Sequence, residues 1–220
     1  MDVPFLYRLG TAYKNVITLL GDRGYDTSSV EKFDNPLQWS GQLYCKAKEQ
    51  KCSLGEAMRQ TFKGPGKSIT LFCIDKNYDI AKAKERMVSM DQMKSFRDIM
   101  ESSVTNYGPN QRPIGATQGI SHSWILLVPF KLSPQAKKEN IDAQIFMFDD
   151  LLINVPEHDL VVPHIVVSEE TAKKILGHTL NIADLPILPI DDPVSRWYDF
   201  QAGQIVFLKN PTMPSFRIVK

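Results

Sequence analysis

A change of grain near residue 150 constrains this chain more than any other feature. Before it, apolar residues recur over long periodic stretches; after it, elements become short and punctuated. The run from 151 to 167, LLINVPEHDLVVPHIVV, marks the change. It is dense in aliphatic residues and carries His158, His164, Pro156 and Pro163. A chain of 220 residues makes one large domain or two small ones. The expected organisation is an α/β domain over 1–150 and a small α+β module over 151–220.

Leu6, Leu9, Tyr13, Val16, Ile17 and Leu20 recur at three- and four-residue spacing, which puts them on one helical stripe. Gly24 is a natural stop, because glycine enters the left-handed conformation without steric cost. Asn35 before Pro36 predicts a second helix start, since proline in the first turn forfeits no bond. Ser53 and Glu56 have the form of a capping box, which locally predicts a helix over 54–62. Residues 62–67 read as a turn before a strong strand, 69–74 (ITLFCI), which predicts a hairpin over 57–74. The hairpin is the reading adopted. Ile80, Ala83, Met87, Met90, Met93, Phe96 and Met100 form a long helical stripe, read as core packing rather than an adaptable methionine face. Residues 106–119, rich in Gly, Pro, Asn and Gln, are expected to form an exposed loop. Strands over 124–130 and 143–148 complete a strand–helix–strand–strand order, and a mixed α/β sheet follows.

Beyond 150, residues 164–167 read as a strand. Ser168 caps a helix with Glu169 and Glu170 in its positive first turn, and Gly177 ends it. Asp192 caps a second short helix opened by Pro193. Residues 204–208 and 216–219 read as strands around a turn at Asn210 and Pro211. A module this small has a thin core and leans on a partner.

With 26 Lys and Arg against 25 Asp and Glu, total charge points to no class of partner. Its distribution says more. Residues 46–67 carry six basic side chains against Glu49 and Glu56, and 140–160 carry five acidic side chains with no Lys or Arg. Such asymmetry sets one face toward nucleic acid and another toward a basic partner. Cys45, Cys52 and Cys73 form no CxxC pair, so a reducing compartment is expected rather than a disulfide framework or a zinc knuckle. No signal-peptide pattern opens the chain and no apolar run approaches the ~20 residues of a membrane span, so a soluble intracellular chain is expected.

No catalytic constellation emerges. Gly66-Lys67-Ser68 matches the end of a phosphate-binding loop, but Thr61 stands where that loop needs glycine and a strand follows where a helix should. His158 and His164 lack further ligands at zinc spacing and read as hydrogen-bonded structural histidines. Asp191 and Asp192 read as a helix cap rather than an acid/base pair. Ser121, His122 and Ser123 show no base held by a third group, and there is no GxSxG elbow. A metal-dependent nuclease needs carboxylates and a lysine on adjacent strands. Strand 69–74 offers Thr70, Leu71 and Phe72 at those places, Asp75 is followed directly by Lys76, and 124–130 has no carboxylate. The residues alone therefore point to a binding or assembly subunit with no catalytic residue, metal or cofactor.

The C-terminal module is similar to a known family. Leu151-Leu152-Ile153-Asn154-Val155, Glu157-His158, Leu160-Val161, Pro163-His164 and Val166-Val167 resemble the LLxNITEHELVPxHxxL signature of the fifth subunit common to nuclear RNA polymerases. The resemblance runs on through Ser168-Glu169-Glu170, Leu185-Pro186, Asp192–Tyr198, Gly203–Val206 and Phe216–Val219, in the family's order and spacing. Tyr7-Arg8-Leu9, Asp22–Tyr25 and Ser133–Lys137 resemble the family's N-terminal domain more loosely. The eukaryotic form carries that domain and the archaeal form lacks it, so the resemblance is to the eukaryotic type.

The resemblance implies a subunit with two parts. The C-terminal module would dock on the largest polymerase subunit in a hetero-oligomer, through His158, Pro163, His164, Asp192, Pro193, Arg196, Tyr198, Gly203 and Arg217. The N-terminal domain would be a jaw with a restriction-endonuclease-like fold and no catalytic residues, beside downstream duplex DNA. Lys131, Ser133, Pro134, Lys137 and Lys138 would be its DNA contacts, with the lysines on phosphates. The family also implies the hairpin at 57–74. Asp199-Phe200-Gln201-Ala202, Ile187 and a shortened turn over 210–214 depart from the family's more basic pattern. That divergence points to a copy from a large DNA virus, working in cytoplasm and virion, or from a divergent eukaryote, working in the nucleus. The rival expectations are a free-standing adaptor for transcription regulators and a divergent Mg²⁺-dependent nuclease.

Overall fold

The computed structural model describes residues 3–74, 87–105, 121–139, 141–176 and 182–220. The chain divides into two units, Met1–Leu152 and Ile153–Lys220. The expected mixed α/β architecture is present, with one four-stranded sheet of mixed direction in each.

The first unit opens with α1 (Val3–Asp22), whose buried stripe contains Leu6, Leu9, Tyr13, Val16 and Leu20. Leu19 joins it, while Ile17 is only half-buried. Gly24 takes a φ of +81° just past its end. In α2 (Pro36–Gln50) the Asn35 carboxamide oxygen accepts the Leu37 and Gln38 N–H groups at 3.0 and 3.4 Å. The two helices meet at Gly10, where a Cβ would collide with the Pro36 carbonyl. Tyr13 stacks on Trp39 with ring centroids 3.9 Å apart, and Phe33 extends the stack at 5.2 Å from Trp39. Burial pushes the Tyr13 phenol up to about 12, which keeps it protonated to donate to Gln60 Oε1 at 3.2 Å.

The helix and hairpin readings around Ser53 both have a place. Ser53 Oγ accepts the Glu56 N–H and Glu56 Oε2 accepts the Ser53 N–H, so the capping box is complete. Yet α3 (Leu54–Met58) ends after one turn, and the antiparallel hairpin of β1 (Gln60–Gly64) and β2 (Lys67–Cys73) follows at once. Gly55 lets that turn lie directly against the Cys73 carbonyl and the Phe72 ring.

The methionine stripe reads too long. Ile80, Ala83 and the segment 106–119 lie outside the described residues. Met87 is exposed and precedes α4 (Met90–Thr105). The helix starts where Ser89 and Gln92 exchange side-chain–backbone bonds, a capping box of the Ser-x-x-Gln form. Strand β3 (Ser121–Val128) starts earlier than its apolar run and stops at Pro129, which has no N–H for a ladder. Strand β4 (Gln144–Met147) gives way at the buried Phe148 to a 3₁₀ turn, Phe148–Leu151. Sheet order is β1-β2-β3-β4, with β2, β3 and β4 parallel. One face, bearing Phe72, Trp124, Leu126 and Val128, packs on Met93 and Phe96 of α4. Ile69, Leu71, Ile125 and Leu127 on the opposite face are also buried, and the Tyr13–Gln60 bond brings the α1 stripe to that side. Arg8 reaches Asp149 at 2.6 Å and Asn15 reaches the Leu151 carbonyl at 2.7 Å, tying the unit's end to its first helix.

In the second unit, β5 (His164–Val167) leads into α5 (Glu169–Leu176), and Ser168 Oγ accepts the Thr171 N–H. Gly177 lies outside the described residues. The two-residue β6 (Ile187–Leu188) precedes α6 (Pro193–Tyr198), where Asp192 Oδ1 accepts the Val194 N–H at 2.9 Å. Strands β7 (Ile205–Leu208) and β8 (Ser215–Val219) pair antiparallel around an Asn210 turn, where Asn210 Oδ1 accepts the Thr212 N–H. The order is β5-β7-β8-β6. Val206 and Val219 pack with Val194 and Phe200 on one face, and Ile205 and Phe216 pack with Ala172 and Leu185 on the other.

Gly10→Ala is expected to destabilise the protein by about 1–3 kcal/mol through the clash with Pro36. Gly41→Ala in the same helix pair meets open space and should stabilise it by roughly 0.5–1 kcal/mol. Urea denaturation of the two variants checks both signs.

Candidate nucleic-acid and subunit interfaces

The lysine segment is a held loop rather than a free one. After β3, Leu132 bridges in parallel to Val88. The Val88 N–H donates to the Lys131 carbonyl at 2.9 Å, and the Ser133 N–H donates to the Val88 carbonyl at 3.0 Å. Ser133 Oγ accepts the Ala136 N–H at 3.1 Å, and its carbonyl accepts the Lys137 N–H, which sets a 3₁₀ turn over Ala136–Lys138. Ala136 is fully buried under α4, and Arg97 of α4 pairs with Glu139 at 2.8 Å. Lys131, Pro134, Lys137 and Lys138 are all exposed, and Ser133 is half-buried in its capping role. Among the described residues none of the three lysines is ion-paired. The arrangement presents three cations on a rigid turn, suited to phosphate contact without base reading.

The interface candidates of the second unit fall into two groups. His158, Pro163 and His164 lie on or beside the entry to β5. The Leu160 N–H donates to His158 Nδ1 at 3.2 Å, and His164 Nδ1 meets the Val162 carbonyl at 2.6 Å. Each ring is thereby fixed by its own backbone, with His164 the donor, since a carbonyl only accepts. The other group builds the fold. Asp192 and Pro193 start α6, which carries Arg196 and Tyr198. Tyr198 stacks on Phe200 at 5.5 Å. Gly203 has a φ of +88° and donates its N–H to the Val219 carbonyl. Arg217 reaches from β8 to the Ile187 carbonyl at 3.3 Å.

One polar pairing was invisible in the sequence. The parallel register sets Ser68 beside His122, with Ser68 Oγ 2.8 Å from His122 Nδ1 and Thr70 Oγ1 3.4 Å from Nε2. A Thr61–Thr70 bond of 2.7 Å extends this line across three strands. It is not a hydrolytic dyad. Ser68 is buried, and both ring nitrogens of His122 face hydroxyls, so no carboxylate orients the base. Among the described residues no cluster of three or more His, Cys, Asp or Glu could hold a metal, and no helix is long and apolar enough to cross a membrane.

The RNA polymerase Rpb5 C-terminal domain family matches residues 153–218, which is the second unit almost end to end. The second unit is similar to that domain. The likeness extends over the first unit as well. The chain is 25% identical to a protein named DNA-directed RNA polymerases I, II, and III subunit RPABC1 from Caenorhabditis elegans, over 97% of this chain and 93% of that one. It is 22% identical to the Dictyostelium discoideum protein of that name, over 96% and 94%. A protein named DNA-directed RNA polymerases IV and V subunit 5B from Arabidopsis thaliana is 24% identical over 89% of this chain and 79% of its own length.

Burial holds the His122 imidazole below its usual range. A depressed histidine pKa means that the unfolded chain binds more protons, so stability is full above about 6.5 and falls as pH drops below it. The thermal midpoint should therefore fall on acidification from about pH 7.5 to 5.5, and His122→Gln should fall less. Melting curves across that window test this.

Proposed function

We propose that the chain is a non-catalytic subunit of a multisubunit DNA-dependent RNA polymerase, held in the assembly by residues 151–220 and reaching downstream DNA through 1–150. The observation that carries the reading is where the apolar surface lies. Of the eleven large hydrophobic side chains left exposed among the described residues, eight belong to the second unit: Ile153, Leu160, Ile165, Val166, Ile175, Ile187, Ile190 and Met213. A unit of 68 residues with that much exposed aliphatic surface is built to be covered. Relatives named as polymerase subunits along nearly the whole length support the same reading.

The partner in this reading is the largest polymerase subunit, which His158, Pro163 and His164 would meet at the β5 entry. The first unit acts as a jaw on a restriction-endonuclease-like frame. Its central strands offer Thr70 and Leu71 on β2 and only Ser, His and apolar residues on β3, with nothing to bind a catalytic cation. Its lysine loop lies against duplex phosphates. In a cellular host the work place is the nucleus.

Tagged chain purified at moderate salt should bring down two very large polymerase subunits in equal amount; small regulators alone would favour an adaptor. In the assembled enzyme, Lys137→Ala with Lys138→Ala should lower the slope of log affinity against log salt by about 2, at 0.9 per phosphate lost. An unchanged slope refutes the DNA contact and leaves the subunit reading intact.

A further inference from the structure

We propose that the outer edge of β5 is a strand-addition site, filled in the assembled enzyme by an extended segment of another polymerase polypeptide. The inference rests on the subunit reading for the identity of that partner, and on the hydrogen-bond phase of β5 for its form. Strand β5 lies at the end of its sheet and, among the described residues, pairs only with β7. The Lys209 N–H donates to the Pro163 carbonyl at 2.9 Å, and the register places His164 opposite Leu208 and Val167 opposite Ile205. Bonded pairs alternate along an antiparallel ladder. Residues 163, 165 and 167 therefore turn their N–H and C=O groups inward to β7, while His164 and Val166 turn theirs outward.

Natural edges are commonly protected by a lysine or glutamate, by a proline on the open side, or by a bulge. β5 is His-Ile-Val-Val, without a charged Lys or Glu and with an unbroken register. Its one nearby proline, Pro163, sits in the inward phase, where it removes a bond to β7 and leaves the open edge intact. The edge is also apolar on both sides. Ile165 and Val166 are 44% and 45% exposed, and alternation puts them on opposite faces. An incoming strand would meet one row of backbone groups, the outward N–H and C=O of His164 and Val166, and gain aliphatic contact above and below. A helix or a nucleic acid presents no such row.

A second copy of this chain is a poor occupant. Four-residue strands pairing edge to edge bury far less than the roughly 1,200 Å² of a specific complex. A polymerase polypeptide that also covers the unit's other exposed aliphatic residues is not so limited.

The test is residue-resolved amide hydrogen exchange on the full-length chain, free and within purified polymerase. His164 and Val166 amides should exchange at least about tenfold more slowly in the complex, while Ile165 and Val167 are protected in both. A companion variant, Val166→Pro, removes an outward N–H and no β7 bond. It should keep the melting midpoint of the free chain and cut recovery of the large subunits by roughly tenfold. If that variant fails to fold, the exchange pattern decides alone. Unchanged outward amides in a complex that contains the large subunits overturn the strand-addition site and spare the subunit reading. Protection of the same amides in a sedimenting dimer of the free chain overturns it in favour of a second copy. Absence of the large subunits refutes the subunit reading and this partner with it.

Discussion

The parallel pairing of β2 with β3 sets most of what the first unit can be. Parallel neighbours cannot be joined by a tight turn, so the chain must leave the sheet and return on the same side. Helix α4 belongs to that return path, and its Met93 and Phe96 bury one face of the sheet against Phe72 and Leu126. Both faces of β2 are buried from Ser68 to Cys73, as are those of β3 from Trp124 to Val128, and the apolar residues Ile69, Leu71 and Phe72 of β2 and Trp124–Val128 of β3 fit that burial. The same register brings Ser68 to His122 across 54 positions of sequence. It also fixes where β3 ends, and hence where the lysine loop begins.

Local chemistry was the part of this structure that the sequence carried plainly. Asn35 with Pro36, Ser53 with Glu56, and Asp192 with Pro193 each cap a helix, because the bonds involved span two or three residues and owe little to the rest of the chain. The strand at 164–167 was legible for a like reason, being bounded by proline and a helix cap. The methionine stripe misled because helical periodicity takes no account of a start signal. Ser89 and Gln92 supply that signal inside the stripe, and it prevailed. Around Ser53 two sound local signals competed, and Gly55 gave room to both.

The candidate interfaces were legible in a different measure. Ser168, Asp192 and Asn210 could be named as caps and a turn of the second unit, because such positions favour those residue types. Exposure could not be read. Ile165 and Val166 look like core in any hydropathy scan, and only their place on an edge strand leaves them in water. The Ser68–His122 line was hidden likewise, because it depends on register between distant segments rather than on spacing within one.

The bonds around Lys131–Lys138 have a thermodynamic consequence. Val88 holds the loop on both sides, Ser133 closes its turn, and Arg97 anchors its far end through Glu139. Fixing a backbone residue costs about 1–2 kcal/mol of conformational entropy, wherever in the sequence of events it occurs. Here that ordering is completed when the domain folds. Any polyanion that meets Lys137 and Lys138 restrains only side-chain rotamers, so contact with it can be made and broken quickly, without a folding step in either direction.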